Sequence, residues 1–284
     1  MLSFLRKRQR SKRDYNSYNI QYSCSAIAMS DIGEIRKTNE DSIVFIKPHD
    51  KLTQVEKGSL AIVCDGMGGH KSGDIASKMA VQHVSDYYYS SKSDTIQALG
   101  DALRSAHRSI IKRSSATAKH ANMGTTCTAV VILEKSIYIG HAGDSRAYLI
   151  GDIEIRQLTK DHTYVQHLYD KGLITLNEKL RHPDRNIVTM VLGTQNEFIP
   201  DVYSYDNVLG QQESLLLCSD GLYDYIDDDE LKSIVNGQVS ADAAETMIDM
   251  AKKRGGHDNI SVIIVKNEAL KDNTNDHITK EVAE

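Results

Sequence analysis

The stretch Ser59-Leu60-Ala61-Ile62-Val63-Cys64-Asp65-Gly66-Met67-Gly68-Gly69-His70 decides how this chain is read. Its first six residues form an apolar run of strand length, and the glycine-rich segment behind it cannot continue a strand. A carboxylate, Asp65, is therefore held at a rigid strand end. The arrangement recurs: Ser214 to Cys218 leads into Ser219-Asp220-Gly221, and Ile137 to Ala142 leads into Gly143-Asp144-Ser145-Arg146. Asp41 stands just before the run Ser42 to Ile46. Asp258, in Gly255-Gly256-His257-Asp258-Asn259, stands just before Ile260 to Val265. Asp41, Asp65, Asp144, Asp220 and Asp258 lie too far apart to share a loop, so only a fold that gathers strand ends could bring them together.

Carboxylates clustered away from water repel one another and are driven toward the neutral form unless a positive charge compensates them. A divalent cation supplies that charge. A shell of carboxylate, backbone carbonyl and water oxygens suits Mg²⁺ or Mn²⁺, whereas zinc sites use Cys and His at short spacings that this chain lacks. Gly66 fits the same reading, because a residue without a side chain lets its carbonyl approach an ion closely. Any single Asp-Gly is equally well read as a turn; five motifs of one shape are harder to assign to turns alone.

Helical periodicity appears in pairs. Asp74 to Tyr89 carries Ile75, Met79, Val84 and Tyr88 on one face, and Thr95 to Arg113 repeats the pattern with Ile96, Leu99, Leu103, Ala106 and Ile110. Asp229 to Val235 and Ala241 to Arg254 give two more, the latter with Ala244, Met247, Ile248 and Ala251 on one face, where the methionines read as core filler. Short strands in succession between helix pairs predict an α+β fold of antiparallel sheets between helical layers.

In order and spacing, Asp31-Ile32-Gly33, Arg36, Asn39-Glu40-Asp41-Ser42, Asp65 to His70, Gly73, Gly124-Thr125-Thr126, Gly140 to Arg146, Leu158 to His162, Ser219 to Leu222 and Asp258 to Ser261 resemble the metal-dependent protein phosphatases, also called type 2C, in their bacterial form. An ordered series of this many motifs is far more specific than one glycine-rich loop. The resemblance covers roughly residues 25 to 266. It implies a four-layer α-β-β-α sandwich with metals in a cleft at one edge of the two sheets. It also implies hydrolysis of phosphoserine and phosphothreonine in proteins, opposing a kinase in bacterial signalling.

Site roles follow from the same resemblance. Asp65 would bridge two Mn²⁺ or Mg²⁺ ions and Gly66 would offer its carbonyl; Asp220 and Asp258 would complete the first ion, and Glu40 and Asp41 would hold or orient water on the second. Asp144, with Asp220, matches the position of a third, weaker ion. Two cations about 3.5–4 Å apart can activate a shared water for direct attack on phosphorus. Arg36 would clamp the phosphate, since its guanidinium fork matches two phosphate oxygens. Met67 departs from many eukaryotic relatives, which carry a proton-donating His there; a thioether cannot donate a proton. That leaves a metal-bound water, or His182 or His162, in the 160–190 region that resembles the family's flap. His70 and His141, inside glycine-rich motifs, read as structural. Two other readings are a non-catalytic adaptor that binds phosphorylated partners, which would predict losses among Asp65, Asp220 and Asp258 that are not seen, and a structural cation module, which would have no use for Arg36.

The 284 residues suit one catalytic domain at 25–266, with a basic tail at 1–24 and a charged tail at 267–284. A net charge of -5 gives no reason to invoke nucleic acid. Cys24, Cys64, Cys127 and Cys218 sit in or beside apolar runs without a C-x-x-C, as buried thiols of a reducing compartment do, and the cytoplasm is the expected location. No segment approaches the roughly 20 apolar residues of a membrane span. The start, Met1-Leu2-Ser3-Phe4-Leu5 followed by Arg6, Lys7, Arg8, Arg10, Lys12 and Arg13, has the wrong order for a secretory signal. It reads as a solvated tail, with contact to an anionic membrane surface or an acidic partner as the alternative.

Overall fold

A computed structural model describes residues 22–68, 72–116, 122–194, 197–206, 208–210 and 212–269. Two five-stranded antiparallel sheets pack face to face. One contains β1 (Tyr22–Asp31), β12 (Ile260–Ala269), β11 (Ser214–Cys218), β8 (Arg146–Ile150) and β9 (Ile155–Gln157), in that order. The other contains β10 (Asp201–Tyr205), β7 (Ser136–Ala142), β6 (Cys127–Leu133), β3 (Ser59–Cys64) and β2 (Ser42–Ile46). A two-stranded ribbon pairs β4 (Gly66–Met67) with β5 (Gly124–Thr125).

The six-residue run that opens the reading is buried along its whole length, and the pleat explains why. Leu60, Ile62 and Cys64 face α2 (Ser72–Ser90) and α3 (Thr95–Ala116), together with Ala76, Val84, Leu99 and Leu103. Ala61 and Val63 face the other way, into the layer between the sheets, with Val130, Ile139, Leu215, Leu217 and Ile263. Covering a sheet on both faces removes the apolar–polar alternation of half-exposed strands. On the far side, Leu216, Cys218, Val262 and Ile264 pack against α6 (Asp220–Tyr223), α7 (Asp228–Gly237) and α8 (Ser240–Lys253) through Leu222, Leu231, Ala244, Met247 and Ala251. This is the expected four-layer α-β-β-α sandwich.

The four long helices lie within a few residues of their expected bounds. α1 (Lys51–Lys57), α4 (Tyr164–Asp170) and α5 (Leu176–Arg181) were not foreseen. α1 and α5 bury no residue and α4 only Val165, so none carries an apolar face that periodicity could reveal. Their ends are written in caps instead: Asp50, Thr163 and Thr175 each accept a backbone N–H of the first turn. The outer strand pair also runs three residues past each expected domain boundary, with Cys24 opposite Asn267 and Tyr22 opposite Ala269. The remainder of both tails, and with it any contact of the basic N-terminus, lies outside the described residues. Among the described residues no helix is long and apolar enough to cross a membrane. All four cysteines are buried, as expected.

Candidate metal centre and active site

Strand register alone brings the five aspartates to one edge. Ser42 pairs with Cys64, so Asp41, entering β2, lies beside Asp65, leaving β3. Cys218 pairs with both Val262 and Arg146, which sets Asp220 beside the approach to β12, where Asp258 lies, and beside Asp144. The turn from β7 into β8 crosses between the sheets, and Asp144 lies on it.

Local hydrogen bonds hold this edge. Asp65 N–H donates to Thr126 Oγ1 at 2.8 Å, and its carbonyl accepts from Thr126 N–H at 2.8 Å and Thr125 Oγ1 at 2.9 Å. Gly66 N–H donates to the Glu40 carbonyl at 3.1 Å. A Cβ at position 66 would stand 2.3 Å from the Gly73 carbonyl oxygen and 2.5 Å from that of Glu40, so two backbone segments require glycine there. Asn259 joins the loop bearing Arg36 to β12: its Oδ1 accepts Glu40 N–H at 2.7 Å, and its Nδ2 donates to the carbonyls of Ile32 at 2.9 Å and Thr38 at 3.1 Å.

The electrostatics are those of crowded, desolvated acids. Asp65 is pushed well above the usual carboxylate range by burial and then by Asp41, Asp220, Asp144 and Asp258. Asp220 is raised likewise by burial and by Asp144, Asp258, Asp224 and Asp41. Asp144 rises to about 7, through burial and Asp161, against the pull of Arg146. Asp41 rises to about 6 by burial, although Ser261 and Ser219 donate to it. Burial also raises Glu40, with Arg36 opposing. Oδ1 of Asp41 and Oδ1 of Asp220 are buried with no hydrogen-bond partner. Buried orphan oxygens in a ring of acids are the donor set a hard divalent cation takes.

The side chains as they stand do not close into a coordination shell: among the described residues no three of His, Cys, Asp and Glu surround one point at ion-ligand distance. Asp258 shows why. Its Oδ2 is drawn to Arg36 Nη2 at 2.7 Å, so the guanidinium takes up one carboxylate expected to face Asp65 and Asp220. Beside Asp144 opens a cavity of about 260 Å³ lined by Arg146, Asp161, Lys179, Arg185, Tyr223 and Asp224. Arg146 grips Asp161 with two bonds, at 3.0 and 2.7 Å, and lies 3.6 Å over the Tyr223 ring.

The histidines separate clearly. His141 is buried between Thr128 Oγ1 and the Lys160 carbonyl, and its pKa is lowered to about 4 by burial and by His162. His162 has both ring nitrogens engaged: Nδ1 accepts Gly143 N–H at 3.1 Å and Nε2 donates to Asp201 at 3.2 Å. Those bonds make the ring a post between the turn from β7 into β8 and the start of β10. His182 caps α5 and accepts Asp184 N–H at Nδ1, 3.1 Å; no hydrogen bond, ion pair or ring contact joins it to the acidic edge. Sequence spacing had placed it in the flap, but its local partners hold it there. His70 lies outside the described residues. Ser219, Ser261, Asn259, Thr126 and Asp224 were missed; the first four lie within quoted motifs and Asp224 two positions beyond one, but polar residues that bond inward leave no periodic signal.

A fold and edge of this kind define a class of acid-lined, metal-dependent hydrolase sites. A family model described as Protein phosphatase 2C matches residues 25–167 and 198–260, leaving out most of the α4–α5 segment. A serine/threonine phosphatase, stp, of Listeria monocytogenes is 32% identical over 243 residues, covering 84% of this chain and 93% of that protein. The crystal structure of serine/threonine phosphatase Stp1 from Staphylococcus aureus superposes with a TM-score of 0.78 at 31% identity, over 88% of this chain and 96% of that one. The catalytic domain of serine/threonine protein phosphatase PstP, solved in complex with two manganese ions, gives 0.73 at 30% identity, over 86% and 98%. The chain belongs to the protein phosphatase 2C family.

Proposed function

We propose that this chain is a Mn²⁺- or Mg²⁺-dependent phosphatase that removes phosphate from phosphoserine and phosphothreonine in proteins, in the cytoplasm and in opposition to a Ser/Thr kinase. The observation that carries the reading is the set of desolvated acids from several strand ends, with orphan oxygens on Asp41 and Asp220, beside the guanidinium of Arg36. Family membership and the names of the phosphatases it resembles support the same conclusion.

Asp65, Gly66, Asp220 and Asp258 would hold the first ion, with Asp65 shared; Glu40 and Asp41 would serve the second through water, and Asp144 with Asp220 a third. Divalent cations at such a site supply Lewis acidity toward water and charge neutralisation toward phosphate. Arg36 binds two phosphate oxygens in a fork, orients the phosphorus toward the acidic edge and stabilises the charge that gathers there. Asp258, now paired with Arg36, would hold the ion when it is bound, and Arg36 would then be free for the substrate. The packed backbone of Gly66, Gly73 and Glu40 keeps Asp65 rigid.

The test is hydrolysis of p-nitrophenyl phosphate and of a phosphothreonine peptide with Mn²⁺, repeated with chelator and with Asp220→Ala. Activity that depends on Mn²⁺ and vanishes under both treatments supports the reading; activity retained under either rejects it.

A further inference from the structure

Asp41 is held by a closed ring of hydrogen bonds whose members all have defined directions. Its Oδ2 accepts Ser261 Oγ–H at 2.7 Å and Ser219 Oγ–H at 2.8 Å. Having given its proton to Asp41, Ser261 can only accept from Ser30 Oγ, 2.8 Å away. Ser30 in turn accepts Asn39 Nδ2–H at 2.7 Å. The ring closes through Asn39 Oδ1, which accepts Asp41 N–H at 3.0 Å. Ser219 and Ser261 are further locked together, since Ser219 N–H donates to the Ser261 carbonyl at 3.2 Å and Ser261 N–H donates to Ser219 Oγ at 3.0 Å.

Three consequences follow. Both serines are fully buried, so their hydroxyls have no competing water. Oδ2 of Asp41 is consumed by the two hydroxyls, and Oδ1, buried and without a partner, is the oxygen left for the site. Ser219 directly precedes Asp220, and Ser261 is the second residue of β12, three positions beyond Asp258, so the clamp ties Asp41 to the two strands that carry the other acids.

We propose that Ser219 and Ser261 are positioning residues: they fix the Asp41 carboxylate by one oxygen, hold it in register with Asp220 and Asp258, and so preform the cation site. The ring runs in one direction from Asn39 to the carboxylate, so each bond polarises the next. Groups that orient a ligand from behind typically govern metal affinity and turnover by about 10–100-fold. The role rests on the phosphatase reading above.

The test is calorimetric titration of the full chain with Mn²⁺ alone, for the parent protein and for Ser219→Ala, Ser261→Ala and the double variant, with p-nitrophenyl phosphate kinetics alongside. The double variant is expected to bind Mn²⁺ about 10-fold or more weakly and to lose kcat with KM unchanged, because Arg36 is untouched. A folded double variant with parental Mn²⁺ affinity and kcat overturns the positioning role while leaving the phosphatase reading intact. A parent chain that binds no Mn²⁺ overturns both. If the double variant does not fold, Ser30→Ala, an exposed position that opens the ring at its far end, serves instead: weakened Mn²⁺ binding supports the ring and unchanged binding overturns it.

Discussion

Arg36 Nη2 and Asp258 Oδ2 stand 2.7 Å apart across 222 positions of sequence. Both side chains are partly open to solvent, so the pair is modest in energy and easily exchanged. It connects the group read as phosphate clamp with a group read as metal ligand, and each is thereby the other's countercharge.

Arg36→Ala should therefore split the two functions. A hydrogen bond to a charged group is worth about 1.5–3 kcal/mol, so KM for p-nitrophenyl phosphate should rise roughly 10–100-fold. Mn²⁺ affinity measured by calorimetry should stay level or improve, because a competing cation has been removed. Arg36→Lys should recover little, since a point charge does not reproduce the fork. Collapse of Mn²⁺ binding with KM unchanged would make Arg36 a structural partner of Asp258 and nothing more.

Asp220→Asn should abolish turnover while raising stability in chelator. Asp220 is a half-buried acid set among four others, with its Oδ1 buried and unpartnered. Relieving a repelled, unsatisfied buried charge should raise the unfolding free energy by about 1–3 kcal/mol. Urea denaturation with and without Mn²⁺ checks this: the parent should gain stability from the ion and the variant should not. A variant less stable than its parent in chelator would show that the acids are not mutually destabilising.

The pH dependence in chelator has a definite sign. Asp41 and Asp144 hold protons in the folded state up to about 6 and about 7, well above an unfolded value near 3.8. Between those limits the folded chain binds more protons than the unfolded one, so stability falls as pH rises. The protonated acids give their full contribution below about 3.8 and none above about 7. Melting temperatures taken from pH 5 to pH 8 should decline in chelator, and added Mn²⁺ should flatten or reverse the trend. A rise through that window in chelator would refute the burial argument.

How much of this was legible beforehand depends on which residues carried a pattern. The runs 59–64 and 214–218 gave their strands residue for residue, and the aspartates behind them marked the edge where the sheets meet, because a carboxylate at a strand end is placed by register. The long helices announced themselves by one apolar face. α5 has no such face, and the serines around Asp41 are polar residues in ordinary-looking strand ends; they act through hydrogen bonds to chain segments roughly 180 to 230 positions away, which no local pattern encodes. The proton donor was illegible for a related reason: a histidine's sequence neighbourhood does not say where its ring nitrogens point.

His182 makes the last point testable. A general acid matters most when the leaving group is a poor one, so its loss should spare p-nitrophenyl phosphate and penalise phenyl phosphate. The geometry gives His182 local partners only, Asp184 N–H and the edge of Tyr164, so His182→Ala should lower kcat on the two esters by the same small factor, about threefold or less. His162→Ala should differ in kind, since it removes the link from Gly143 N–H to Asp201 beneath the turn that carries Asp144, and should cost about 1–3 kcal/mol of stability along with activity on both esters. A His182→Ala enzyme more than about tenfold slower on phenyl phosphate alone would restore that histidine as the proton donor and would require the α4–α5 segment to carry it to the acidic edge during turnover.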